Sequence, residues 1–176
     1  MSGPNVIVSG DIGSGKSTVI RATMARLGWQ HPGGFFTHWG QAERGGAVLF
    51  LETWSGNIHP IARRVAQPAQ PGGLPYDLDA SIFNRAAMAS LQPAADGHPV
   101  VIDELGLIER NAAPFAQALA NLFQGPTPVL AVIQRRALEG WLAQLGAAGH
   151  AAKRVDVGIA TRDALPAKVA KLFAIL

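Results

Sequence analysis

Apolar residues recur along this chain in two alternating rhythms: short unbroken runs, and longer stretches spaced three to four residues apart. Asn5 to Ser9, Pro99 into Glu104, and Val129 to Ile133 are runs rich in β-branched residues and bounded by Gly or Pro, the signature of buried strands. Lys16 to Leu27 has helical spacing, with Val19, Ile20, Thr23, Met24 and Leu27 on one face and Gly28 as its stop. Asp79 to Leu91 repeats that spacing through Ile82, Phe83, Ala86, Ala87 and Leu91, and Pro93 ends it. Pro114 to Gln124, closed by Gly125, and Ala137 to Leu145 are amphipathic helices of the same kind, on which Phe123 and Trp141 are core or interface positions, core being favoured by their helical spacing. A strand near Arg154 to Val157 and a helix from about Asp163 to Ile175 complete the alternation.

Between the first helix and Asp79 the rhythm is less regular. Gly33 to Thr37 and Ala47 to Thr53 predict an antiparallel hairpin across the polar connection Gly40 to Gly46, set beside the main sheet as an insertion. His38 and Trp39 at its turn read as exposed or packing residues. Ile58 to Ala66 predicts a short helix carrying Arg63 and Arg64, and Gln67 to Pro75 is a loop, either a lid or a plain connector. Strand and helix alternation of this type gives an α/β fold: a mainly parallel sheet with helices on both faces and a small antiparallel hairpin insertion. The 176 residues are expected to form a single domain with a substantial core.

Composition narrows the chemistry. The absence of Cys excludes disulfides and thiolate metal sites. No apolar run is long enough to span a bilayer and the first residues lack the pattern of a secretory signal, so the expectation is a cytoplasmic protein without a membrane partner. Eleven Arg and four Lys give a net charge of +3, but they are scattered rather than gathered into a stripe. Nucleic acid is therefore disfavoured as a partner, and an arginine excess suits small anionic substrates.

The apolar run Val6-Ile7-Val8 leads directly into Gly10-Asp11-Ile12-Gly13-Ser14-Gly15-Lys16-Ser17-Thr18, which fits the phosphate-loop pattern G-x-x-x-x-G-K-[ST]. Glycines let successive N–H groups turn inward on an anion, and the positive end of the following helix adds to their field. A nucleoside triphosphate, whether ATP, GTP or another, is the natural occupant of such a loop. Lys16 is placed to reach its β- and γ-phosphates, and the Ser17 hydroxyl to ligate Mg²⁺. Asp103 and Glu104 close an apolar strand, where ligands of open α/β sheets bind, so Asp103 is expected to hold Mg²⁺ through a water and Glu104 to polarise an attacking water.

Together, Gly10 to Thr18, Gly34-Phe35-Phe36-Thr37, the block from Val101 through Asp103 and Glu104 to Glu109, and Thr161 to Pro166 resemble the nucleoside-triphosphatase family of the THEP1 type. The resemblance covers nearly the whole chain. It implies a P-loop NTPase fold, Mg²⁺-dependent hydrolysis of nucleoside triphosphates to diphosphates and broad base tolerance. It also implies that Ser17 or Thr18 handles phosphate and metal and that Arg162 lies near the base. An assisting arginine is to be sought among Arg44, Arg63, Arg64, Arg110 and Arg135. Two other functions share the same loop: a nucleotide or small-molecule kinase with Glu104 as base for an acceptor hydroxyl, and a nucleotide-dependent binding module or switch.

Overall fold

The sheet is built on three strands whose residues are too apolar to face water on either side. The computed structural model describes residues 3–40, 47–68, 71, 73–92 and 98–174. Strands β1 (Asn5–Gly10), β6 (Val100–Leu105) and β7 (Val129–Gln134) are almost wholly buried. Their alternate residues enter two different cores. Ile7, Ile102 and Ile133 pack with helices α2 (Ala80–Ser90), α3 (Ala113–Gln124) and α4 (Leu138–Ala151), around Phe83, Phe115 and Trp141. Val6, Val8, Val101 and Val132 pack with α1 (Lys16–Leu27) and α5 (Leu165–Phe173). Continuous apolar runs are what parallel strands covered on both faces require.

One sheet of eight strands runs in the order β5-β4-β3-β2-β6-β7-β1-β8. β8 (Lys153–Val157), β1, β7, β6 and β2 (Gly33–Trp39) are mutually parallel. β3 (Val48–Thr53), β4 (Ile58–Arg64) and β5 (Tyr76–Leu78) continue the sheet from β2 in antiparallel fashion. The expected hairpin is thus present, but it shares β2 with the parallel half and is continuous with it rather than set beside it. At its start Gly34 has φ +93, and a Cβ there would fall 2.1 Å from the Val101 carbonyl oxygen, so β2 can approach β6 this closely only with glycine.

Residues 58–64 correct the sequence expectation. Ile58 to Ala66 was expected to be helical, yet Ile58–Arg64 is strand β4, with Ile61 and Ala62 buried in the α2-side core. Pro60 lacks an N–H and is the reason a strand was not obvious there. It is accommodated at a register shift between Leu49 and Phe50, where Phe50 faces Pro60 and Leu49 faces Ala62. The short strand β5 was not foreseen either; it follows the 67–75 loop, of which residues 69, 70 and 72 lie outside the described part, as do Arg44 and Pro93. The helix expected over 137–145 ends where expected, at non-helical backbone at Gly146 (φ 62), beyond which a second helical piece runs to Ala151, and the last helix begins at Leu165 rather than Asp163. Among the described residues no helix is long and apolar enough to cross a membrane.

Candidate active site

The carboxyl ends of the parallel strands meet in one cleft of about 460 Å³. Its floor is the loop between β1 and α1. Gly15, at φ 95, caps α1 in a left-handed conformation that no side-chain-bearing residue adopts without strain, and it turns the chain into the first helical turn. That turn leaves its N–H groups, those of Lys16, Ser17 and Thr18 among them, without intrahelical partners. Gly13, Gly15, Lys16, Ser17 and Thr18 all line the cleft, as does the exposed Ile12. Asp11 points away from it, held by the Arg135 Nε at 2.9 Å, while the same guanidinium reaches Asp156 of β8 at 2.9 Å. These two carboxylates keep the Arg135 guanidinium charged and pin the loop to the neighbouring strand.

Opposite the loop stand the carboxylates of β6. The Ser17 hydroxyl donates to Asp103 Oδ1 at 3.2 Å. Asp103 is 4% exposed, and burial pushes its carboxyl up to about 6, against the opposing effects of the Ser17 hydrogen bond, Arg21 and Lys16. Lys16 is also buried; its ammonium donates to the Asp11 carbonyl oxygen at 2.8 Å and lies 3.4 Å from Glu104 Oε2. The other Glu104 oxygen accepts from Gln134 Nε2, and the Gln134 carbonyl accepts from Arg136 Nε at 3.2 Å. Gln134 ends β7, which lies between β1 and β6, so its amide ties Glu104 of β6 to Arg136, just beyond β7.

The turn after β6 is fixed from below. Glu109 is 3% exposed and its Oε2 accepts from the Gly106 N–H at 2.9 Å, while the Gly106 carbonyl accepts from the buried Trp141 indole at 2.9 Å. Burial pushes the Glu109 carboxyl up to about 7, opposed by its backbone hydrogen bonds, with the Glu104 charge adding to the rise.

The structure therefore brings Lys16, Ser17, Asp103 and Glu104 together, as the sequence led one to expect. Arg162, which follows β8, lies over the loop from the other side, its Cδ 3.1 Å from where a Gly15 Cβ would stand. It is not part of the cleft wall. Of the arginines considered as assistants, Arg135 is committed to Asp11 and Asp156, Arg110 packs against Gly140 of α4, and Arg64 lies over the Tyr76 ring. Arg136 lines the cleft instead, with Gln134 and Glu109, and sequence reasoning missed all three as site residues. The signal for Gln134 and Arg136 was their position just past a buried parallel strand adjoining the loop strand. His38 and Trp39, read as exposed or packing residues, stand on the cleft wall.

A glycine-rich loop between a central parallel strand and a helix, facing a carboxylate pair on a strand one place removed, defines a phosphate-loop nucleotide-binding enzyme. The model of the NTPase family matches residues 5–170. The chain is similar to a nucleoside-triphosphatase THEP1 of Methanosarcina barkeri, 27% identical over 179 residues and covering 96% of each chain. Its fold matches the crystal structure of THEP1 from the hyperthermophile Aquifex aeolicus with a TM-score of 0.77 at 19% identity, over 96% of this chain and 98% of that one. It also matches the solution structure of a human cancer-related nucleoside triphosphatase, with a TM-score of 0.70 at 21% identity over 96% of both chains. This chain belongs to the NTPase family, of the THEP1 type, and is an NTPase enzyme.

Proposed function

We propose that the protein is a Mg²⁺-dependent nucleoside triphosphatase of broad base tolerance, cleaving its substrate to the diphosphate and inorganic phosphate. The observation that carries this reading is the pairing across the cleft: Ser17 with Asp103 at 3.2 Å and Lys16 with Glu104 at 3.4 Å. The residues present suit the metal. A hydroxyl and a buried carboxylate in contact are hard oxygen donors, and burial leaves the Asp103 carboxyl pushed up to about 6, an environment that a cation would relieve. Bound there, Mg²⁺ would neutralise charge on the β- and γ-phosphate oxygens.

The chain's own residues supply the rest. A triphosphate entering the loop draws the Lys16 ammonium from the Asp11 carbonyl and Glu104 onto its β- and γ-oxygens, which frees one Glu104 oxygen to face the cleft. Gln134 keeps the other oxygen in place. Glu104 then takes a proton from a water whose oxygen bonds to the γ-phosphorus as the bond to the β–γ bridging oxygen breaks, and the nucleoside diphosphate leaves. Arg136, on the same wall, adds positive charge near the developing charge of the transferring group. Arg162 beside Gly15 offers a flat guanidinium face on which any base can stack without a fixed hydrogen-bond pattern, which supports broad tolerance.

Phosphate release from ATP, GTP, CTP and UTP, with and without Mg²⁺, tests this reading. Release should require the metal, vary little among bases and vanish in Lys16→Ala. Glu104→Gln should lose about a hundredfold or more in turnover while binding nucleotide normally. Metal-independent release, or undiminished turnover in Glu104→Gln, would overturn it.

A further inference from the structure

The phosphate loop and its carboxylates fill only part of the cleft, and the remainder is lined by residues of a different kind. β2 pairs with β6 only as far as Phe36 opposite Asp103, so Thr37, His38 and Trp39 overhang the carboxylate pair and are matched by β3 alone. Trp39 faces Leu49 in that register, and its ring reaches across the sheet to Tyr76 of β5, with centroids 5.1 Å apart at 39°. Leu107 and Ile108, just beyond Glu104, close the wall from the other side. Trp39 remains 37% exposed although it lies within a cleft, where an indole costs least when covered by another flat apolar surface.

This wall is on the far side of Glu104 from the nucleoside in the hydrolytic reading above, on which the inference rests. In the strand order, β8 with Arg162 lies to one side of β1, whereas β6, β2, β3 and β5 all lie to the other. A triphosphate whose terminal phosphate meets Lys16 and whose base lies toward Arg162 leaves the aromatic wall uncovered. The antiparallel half of the sheet contributes no group to phosphate handling there; it contributes Leu49 and Tyr76, with the Arg64 guanidinium 5.8 Å from the Tyr76 ring. His38, paired with Glu52 at 3.1 Å, and Thr37 give the same wall a polar margin.

We propose that Trp39, Tyr76, Leu49, Leu107 and Ile108 form a second ligand subsite, which binds a planar heteroaromatic molecule of nucleoside size while the triphosphate occupies the loop. Its flat ring stacks on Trp39 and Tyr76, and polar substituents meet Thr37 and His38. A ligand seated there stands over Glu104, at the terminal-phosphate end of the cleft.

The test uses adenosine as the probe, titrated calorimetrically into the full-length protein already saturated with Mg²⁺ and the non-hydrolysable analogue AMPPNP. One further equivalent of adenosine should bind at sub-millimolar concentration. Binding should weaken at least tenfold in Trp39→Ala and in Tyr76→Ala, and persist in Trp39→Phe, which keeps an aromatic face. Circular dichroism melts of each variant separate loss of the subsite from loss of the fold. Three results would overturn the proposal: no saturable binding up to several millimolar, binding that rising AMPPNP suppresses, or binding that both alanine variants retain. Phosphate release by the wild type without adenosine tests the hydrolytic reading on its own. A protein that hydrolyses triphosphates but binds no second equivalent refutes the subsite alone.

Discussion

Glu109→Gln should stabilise this protein in alkaline solution and do almost nothing in acid. The Glu109 carboxyl is 3% exposed, and burial carries it from 4.5 to about 7. Because the folded state holds the proton more tightly than the unfolded chain, the contribution of this group is fully present below pH 4.5 and is lost as the pH rises through about 7. At roughly 1.4 kcal/mol per pH unit, the interval from 4.5 to about 7 amounts to about 3 kcal/mol above pH 7. Gln keeps an oxygen to accept from the Gly106 N–H and carries no charge, so it escapes that loss. Asp103, also raised, titrates alike in both proteins and drops out of the difference. Thermal melts of the two proteins should nearly coincide at pH 4 and separate by roughly 5–10 °C at pH 8.5, the variant melting higher. A gap that stays constant with pH, or a variant that melts lower at pH 8.5, would show that the fold does not raise the Glu109 carboxyl.

Two further substitutions probe other parts of the argument. Gln134→Ala removes the amide that ties Glu104 to Arg136; kcat should fall about tenfold to a hundredfold with KM little changed, and an unaltered kcat would remove Gln134 from the positioning of Glu104. Gly34→Ala forces a Cβ to within 2.1 Å of the Val101 carbonyl at a positive φ, so it should cost more than about 2 kcal/mol in denaturant unfolding; a variant as stable as wild type would mean that β2 and β6 separate freely at this point.

The parallel half of the sheet was legible in the sequence because two signals coincide there. Strands such as Val129 to Ile133 are continuously apolar, and the helices between them carry a clean helical period closed by glycine or proline. Phe123 and Trp141, expected in the core, are fully buried. The antiparallel half was harder to read. Ile58–Arg64 is half-exposed, contains a proline and carries two arginines, so its pattern resembles a polar helix; only pairing with β3 across a register shift makes it a strand. The site divides in the same way. Lys16, Ser17, Asp103 and Glu104 are announced by spacing and by their place at strand ends. Gln134, Arg136 and Trp39 belong to the cleft through strand order alone, which local sequence does not encode.

The bridge from Ser17 to Asp103 joins positions 86 residues apart in the chain, and that from Asp11 to Arg135 joins positions 124 apart. Each such contact closes a long loop, whose entropic cost grows only slowly with its length. The phosphate loop on β1 has its opposing wall only where β7 pairs beside β1 and β6 beside β7. Occupancy by nucleotide then acts as a fastener on the completed topology, drawing the folding equilibrium toward a state in which the first strand and the centre of the chain are already paired.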